Sequence, residues 1–188
     1  MPEYRRVKTK GGTYFFTVVT NMRQPILTTE GVRQALRQGI QRARQTLPFQ
    51  IDAWVLLPDH LHAVWTLPSE DDNYAARWAI IKRQVSTLCG KQCNEIKELG
   101  ESKRKRQESG IWQRRYWEHQ IRDDLDFQRH MDYLHWNPVK HGYVRQVADW
   151  PFSSFHRLVF WCVGRTLHVL RSEKNNQNYR NHRGIVIR

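Results

Sequence analysis

His60 and His62 stand two residues apart in Asp59-His60-Leu61-His62-Ala63-Val64-Trp65, a run with strand character. Side chains alternate along a strand, so both imidazoles point from one face. That arrangement suits a divalent metal, because neutral imidazole binds metals without first losing a proton. A second pair, Tyr133 and Asn137, lies four residues apart in a helical pattern, which stacks the two on one side of the helix. A tyrosine hydroxyl can act as a nucleophile. Attack on a DNA phosphodiester calls for a Lewis acid on the non-bridging oxygens, and two imidazoles with the Asn137 amide oxygen would hold one and leave positions for the phosphate. The same residues also have plainer uses. Strand histidines are often hydrogen-bonded core or surface groups, a tyrosine on a helix flank packs, and an Asn before Pro138 caps a helix end. Spacing alone leaves both readings open.

The bulk composition narrows the partner. The chain has 188 residues, enough for one domain with an appendage, and a net charge of +13. Such charge points to a polyanion, nucleic acid first and an anionic membrane surface second. No apolar run approaches the length of a spanning helix, and Met1-Pro2-Glu3-Tyr4-Arg5-Arg6 has no signal-peptide core, so the expected location is the cytoplasm. Cys89, Cys93 and Cys162 are expected to be reduced and structural, since their spacing matches no zinc motif.

Around these residues the hydrophobic pattern places the elements. A basic arm over 1–12 ends at Gly11-Gly12 and leads into a strand over 13–20. A helix over 29–46 carries Val32, Leu36, Ile40 and Ala43 on one stripe. The apolar run 51–57 reads as a strand covered on both faces. Pro58-Asp59 turns the chain into a strand over 60–67. A second helix follows Asn73, with Tyr74, Trp78, Ile81, Val85 and Leu88 as its buried stripe and Arg77, Lys82 and Arg83 on its other face. Residues 94–109, with Lys103-Arg104-Lys105-Arg106 at their centre, read as an exposed charged loop. Residues 111–121 read as a fourth strand. A third helix starts at Asp123 or Asp124, whose carboxylates suit a helix N-terminus, and stops before Pro138. Its buried stripe is Phe127, His130, Met131 and Leu134. Residues 138–160 are expected to pack against the domain edge, and 161–188 form a basic tail.

The order β-α-β-β-α-β with one tight hairpin predicts an α+β fold, a ferredoxin-like (split β-α-β) antiparallel sheet with packed helices. In that topology the first and third strands are central. The histidine pair then sits on a rigid inner strand.

Six stretches together resemble a known family. They are Tyr4-Arg5-Arg6, Phe15-Phe16-Thr17-Val18, Ala53 through His62, Ile111 through His119, Tyr133 through His141, and Asp149 through His156. In this order the chain resembles the REP-associated tyrosine transposases, single-tyrosine members of the HUH nucleases, over roughly residues 3–160. Leu61 fits the bulky apolar residue between the two histidines. The resemblance implies Tyr133 as nucleophile, with His60, His62 and Asn137 holding Mg²⁺ or Mn²⁺. It implies a substrate that is a repetitive extragenic palindrome folded as a hairpin of single-stranded DNA. Cleavage would form a 5′-phosphotyrosine and release a 3′-hydroxyl, and the reverse step would rejoin strands. Tyr4, Arg5 and Arg6 are then expected to read the single-stranded foot of the hairpin, while Arg77, Lys82 and Arg83 follow its phosphates. A monomer associated with the nucleoid is expected. The domain boundary falls at 160, and neither the 94–109 segment nor the 161–188 tail matches the family pattern.

Three alternatives compete. The protein could hold palindromic hairpins without cutting them, Tyr116 could replace Tyr133 as nucleophile, or a metal-dependent hydrolase could use water and leave no covalent adduct.

Overall fold

The computed structural model describes residues 8–94 and 110–157, apart from the side chains of 91–94. Tyr4, Arg5 and Arg6, the tetrabasic segment 103–106 and the 161–188 tail lie outside the described residues, as do the side chains of Cys93 and Cys162. The elements described all belong to one compact unit, Met1–Phe155.

Four antiparallel strands form one sheet: β1 (Thr13–Val19), β2 (Gln50–Leu56), β3 (His60–Thr66) and β4 (Trp117–Gln120), in the order β2-β3-β1-β4. The first and third strands are central, as the ferredoxin-like reading requires. β1 is β-branched and aromatic, and residues 14–18 are all buried, which follows from packing on both faces. The β2–β3 hairpin closes with Leu57 N–H donating to the His60 carbonyl at 2.8 Å. Thr20 fixes the hairpin tip from β1's end, donating through both its N–H and its hydroxyl to the Asp59 carbonyl, each at 2.9 Å.

Strand alternation sorts the sheet into two faces. Tyr14, Phe16, Val18, Leu61, Ala63 and Trp65 point to one side, where helices α1 (Glu30–Thr46) and α2 (Tyr74–Asn94) cover them in the main core. Trp65 stacks on Trp78 with centroids 4.2 Å apart, joining the central strand to α2. Gly39 lets α1 and α2 approach, since a Cβ there would stand 3.2 Å from the Ile81 Cα. Along α2 the expected stripe holds through Val85, but Leu88 is exposed and Cys89 buried in its place. Cys89 faces the Gly31 carbonyl at 3.7 Å, so the last buried position of the stripe shifts by one residue.

The opposite face carries Phe15, Val55, Val64 and, from β3's start, His60 and His62. Helix α3 (Asp124–Lys140) packs there through Leu134, with Phe127, Met131 and Tyr133 around it. Asp123 caps α3 by accepting from Asp126 N–H at 2.8 Å, and Asp126 in turn accepts from Arg122 N–H at 3.1 Å. The helix does not stop before Pro138. Proline there forfeits only the bond to the Leu134 carbonyl, within the last turn. The helix ends at Gly142 (φ +74°), where Tyr143 N–H donates to the Pro138 carbonyl at 3.0 Å and Gly142 N–H to the Val139 carbonyl at 2.9 Å.

One further expectation changes and another holds. The fourth strand is only Trp117–Gln120, and the chain before it pairs with the end of β1 only at an isolated bridge, Thr20 to Trp112. The segment after α3 does reach the sheet. Leu56 N–H donates to the Phe152 carbonyl and Ser154 N–H to the Trp54 carbonyl, each at 2.8 Å, along the outer edge of β2.

Arg77 is a correction. Its side chain is fully buried, donating to Asp71 at 2.7 Å, to the Pro48 carbonyl at 2.6 Å and to the Asn73 carbonyl at 3.0 Å. It pins the start of α2 and offers nothing to a DNA phosphate. Arg77→Met would leave Asp71 and two carbonyls without their partner, and is expected to cost roughly 3 kcal/mol of stability in a denaturant melt. The salt dependence of DNA binding should not change in that variant.

Candidate active site

The site is assembled where β3's start, β1 and the C-terminal half of α3 meet. Cross-strand pairing sets Thr17 of β1 against His62, and Val19 against His60. The Thr17 hydroxyl lies 2.9 Å from His62 Nδ1. The Asp59 carboxylate lies 2.6 Å from His60 Nδ1 and 2.8 Å from Arg23. Each imidazole is therefore held at Nδ1, the arrangement that orients Nε2 toward a metal and supports its lone pair. Burial opposes charge on Asp59, but the hydrogen bonds from His60 and Arg23 outweigh it and hold its carboxyl below the usual range. Burial, then the neighbouring His60, His141 and Lys140, push His62 well below the ordinary histidine value. His62 is thus kept neutral, the form in which an imidazole can ligate a metal.

Tyr133 faces this pair. Its ring lies 5.3 Å from that of His62 and 6.0 Å from that of Phe15, which itself stacks on His62 at 5.3 Å. Asn137, one turn on, is fully buried. Neither its Oδ1 nor its Nδ2 has a hydrogen-bonding partner among the described residues, and the same holds for His62 Nε2. Orphaned buried polar atoms cost about 1–3 kcal/mol each, and a metal ion is what would satisfy an amide oxygen and an imidazole lone pair together. The residues present therefore fit the ion that the spacing suggests.

Two groups escaped the sequence reading because the helix was ended too early. Lys140 stands two turns past Tyr133, its Nζ 4.9 Å from the centre of the tyrosine ring. His141 follows, 5.3 Å from His60. Thr17 gave no local signal, since its partnership with His62 exists only through strand pairing.

Tyr116 lies on the wrong side of the sheet to compete. Its ring packs 6.1 Å from Phe16 and 6.0 Å from Trp78, in the α1/α2 core. His119, Asp126 and His130 form a second cluster of metal-ligand types. Their geometry argues for a different role. The two imidazoles stack 4.5 Å apart at 15°, and a metal must lie near the plane of each ring it binds, which nearly parallel planes do not allow together. Asp126 accepts from His119 at 2.8 Å, while His130 Nδ1 sits 2.8 Å from the Asp126 carbonyl. The cluster ties β4 to the start of α3.

Of the remaining residues expected to contact DNA, Arg83 is exposed. Lys82 is half-buried, donating to the Gln113 carbonyl at 2.7 Å, with its Nζ 5.7 Å from the Trp112 ring.

Comparison with known proteins adds four findings. The family described as "Transposase IS200 like" matches residues 8–137. A REP-associated tyrosine transposase of Escherichia coli (strain K12) is 48% identical over 158 residues, 84% of each chain. A Haemophilus influenzae relative is 47% identical over 157 residues, 84% of this chain and 87% of its own. Among solved structures, a REP-associated tyrosine transposase bound to a REP hairpin superposes with a TM-score of 0.71 at 46% identity, covering 90% of this chain and 89% of that one.

Proposed function

The chain belongs to the IS200-like transposase family, and from that premise we propose that Tyr133 is the nucleophile that cuts and rejoins a single DNA strand at a palindromic hairpin. The observation that carries this is the Tyr133 ring 5.3 Å from His62, with the orphaned Asn137 amide one helical turn away. Enzymes of this family depend on a metal ion. His60, His62 and Asn137 would hold Mg²⁺ or Mn²⁺, which when bound supplies Lewis-acid polarisation of the scissile phosphate.

This chain's own residues do the rest. Thr17 and Asp59 keep the imidazoles in the ligating tautomer. Phe15 backs both His62 and Tyr133, so nucleophile and metal ligand share one support. Lys140 brings positive charge to the tyrosine face, where the phosphate's negative charge accumulates during attack. The Tyr133 hydroxyl gives up its proton to solvent as its oxygen bonds to phosphorus, and the bond to the 3′ oxygen breaks. A 5′-phosphotyrosine forms, and the strand leaves as a 3′-hydroxyl once that oxygen takes up a proton. A 3′-hydroxyl attacking the phosphotyrosine reverses the sequence and restores the tyrosine.

The substrate follows from the relatives. We take it to be a repetitive extragenic palindrome hairpin, the ligand in the 46%-identical structure, with the basic arm reading its single-stranded foot. The expected setting is a monomer in the cytoplasm, associated with the nucleoid. Among the described residues no helix is long and apolar enough to cross a membrane. The nuclease domain is taken as 1–160, with 161–188 as an appended basic tail.

The deciding experiment is the mass of the covalent adduct formed on a suicide hairpin substrate with Mg²⁺ or Mn²⁺, mapped to one tyrosine. An adduct at Tyr133 is expected. Tight hairpin binding with no adduct would instead favour a protein that holds palindromes without cutting them. Affinity itself is expected to fall steeply with salt, with a log–log slope of about −0.7 per neutralised phosphate on a single strand. A flat response would assign the +13 charge to solubility.

A further inference from the structure

Rings form an unbroken row across the active site, and it ends in an exposed aromatic on each side. From Trp117 the contacts run to Phe15 (5.8 Å), His62 (5.3 Å), His60 (5.0 Å), His141 (5.3 Å) and Tyr143 (6.0 Å). Of the interior members Phe15, His62 and His60 are buried and His141 is exposed, while at the ends Trp117 is 38% exposed and Tyr143 44% exposed. Few large apolar side chains among the described residues are that open, and these two flank the row that holds His60 and His62.

Each terminal ring is held rather than loose. Trp117 sits on β4, paired with Thr17, which is paired in turn with His62. That places Trp117 two strand spacings from the histidine, roughly 10 Å. Its ring is nearly parallel to His119 (8°), which stacks on His130, itself anchored to α3. On the other side Tyr143 follows the Gly142 turn and stacks on Trp150 at 5.4 Å. Trp150 is in turn fixed by donating to the Leu56 carbonyl at 3.0 Å. Cations stand beside both ends. Arg114 and Arg115 are exposed just before Trp117, as are Lys140 and Arg145 around Tyr143.

We infer that Trp117 and Tyr143 are stacking platforms for the nucleobases on the two sides of the scissile phosphate, so that the single strand crosses the site held at both flanks. The inference rests on Tyr133 and the histidine pair being the cleavage site. Single-stranded DNA is the occupant that both features fit. A platform of exposed aromatics interleaved with Lys and Arg binds unpaired bases by their π faces and the backbone by its charge. A duplex hides those faces, and an apolar peptide would leave the guanidinium groups without partners. Two anchored flanks would also explain how the phosphate stays in register with Tyr133 both before cleavage and while a 3′-hydroxyl waits to rejoin.

The test uses the full chain carrying Tyr133→Phe, Mg²⁺ and a palindromic hairpin oligonucleotide with a single-stranded extension. One 2-aminopurine is placed immediately 5′ or 3′ of the scissile phosphate. Binding should quench both probes. Adding Trp117→Ala should restore fluorescence on one side only and Tyr143→Ala on the other, while Trp117→Phe and Tyr143→Phe keep the quenching. On an otherwise unaltered chain, each alanine variant should bind the extended hairpin about ten- to a hundredfold more weakly, but bind a hairpin lacking the extension as the parent does. The phenylalanine variants guard against misfolding, since they preserve the packing. Quenching that persists in an alanine variant overturns the platform at that position, as does equal weakening toward the extension-free hairpin. A parent chain that forms no covalent adduct would instead overturn the cleavage reading, so the two failures are distinguishable.

Discussion

Tyr133→Phe is expected to abolish both cleavage and rejoining, with covalent adduct falling by at least about three orders of magnitude. The substitution removes one oxygen and leaves the ring, so its contacts with His62, Phe15 and Lys140 at 5.3, 6.0 and 4.9 Å survive. Stability should stay within about 0.5 kcal/mol of the parent, and hairpin affinity should be unchanged. Tyr116→Phe is the matched control. That ring lies against Phe16 and Trp78 on the far face of the sheet, so its adduct should form at nearly the parental rate. Denaturing gels of protein–DNA adducts read both variants at once. An adduct that persists in Tyr133→Phe and is missing from Tyr116→Phe would move the chemistry to the other face and sink the assignment.

Loss of either histidine of the pair should be nearly as severe. His60→Ala and His62→Ala are expected to lower single-turnover cleavage by about a thousandfold while leaving hairpin binding within a few-fold, since these groups orient a phosphate rather than grip the DNA. Asn137→Ala should be milder and partly restored by raising Mn²⁺, because both imidazoles remain. Thr17→Val keeps the shape but removes the partner of His62 Nδ1 at 2.9 Å. It should weaken Mn²⁺ binding, measured directly by calorimetry, by about ten- to a hundredfold. If instead the histidine variants lose DNA binding as completely as cleavage, the pair is structural.

The contrast between what could be read along the chain and what could not has a physical basis. Strand and helix types followed from local periodicity. The β2–β3 hairpin followed from Pro58-Asp59 between two apolar runs, and with it came the central position of His60 and His62. Pairs within one element, such as Tyr133 over Asn137, depend only on helical geometry. Thr17 beneath His62 depends on a register between strands some 45 residues apart, which no local pattern encodes. The end of α3 was misplaced because proline weakens a helix interior far more than its final turn, and the actual stop lies in Gly142's left-handed backbone. Ending the helix early hid Lys140 and His141. Arg77 misled in a different way. Its place opposite the apolar stripe suggested solvent, but Asp71, Pro48 and Asn73 fold over it and complete its hydrogen bonds.

The unequal cores on the two faces of the sheet imply unequal lifetimes for the helices that cover them. The α1/α2 face is filled by large side chains such as Trp65, Trp78, Phe16 and Tyr14. Beneath α3 the fully buried apolar members are Phe15, Ala53, Val55, Leu57, Val64 and Leu134, with Phe127, Met131 and Tyr133 only partly covered. Local opening follows such differences in buried contact. Amide hydrogens along α3 should therefore exchange with deuterium well before those of β1, β3 and α2, and independently of global unfolding. The nucleophile would then ride on the segment of this fold that can detach at least cost while the sheet bearing His60 and His62 stays intact. In such a protein, hydrogen exchange would slow selectively along α3 once a strand is linked to Tyr133.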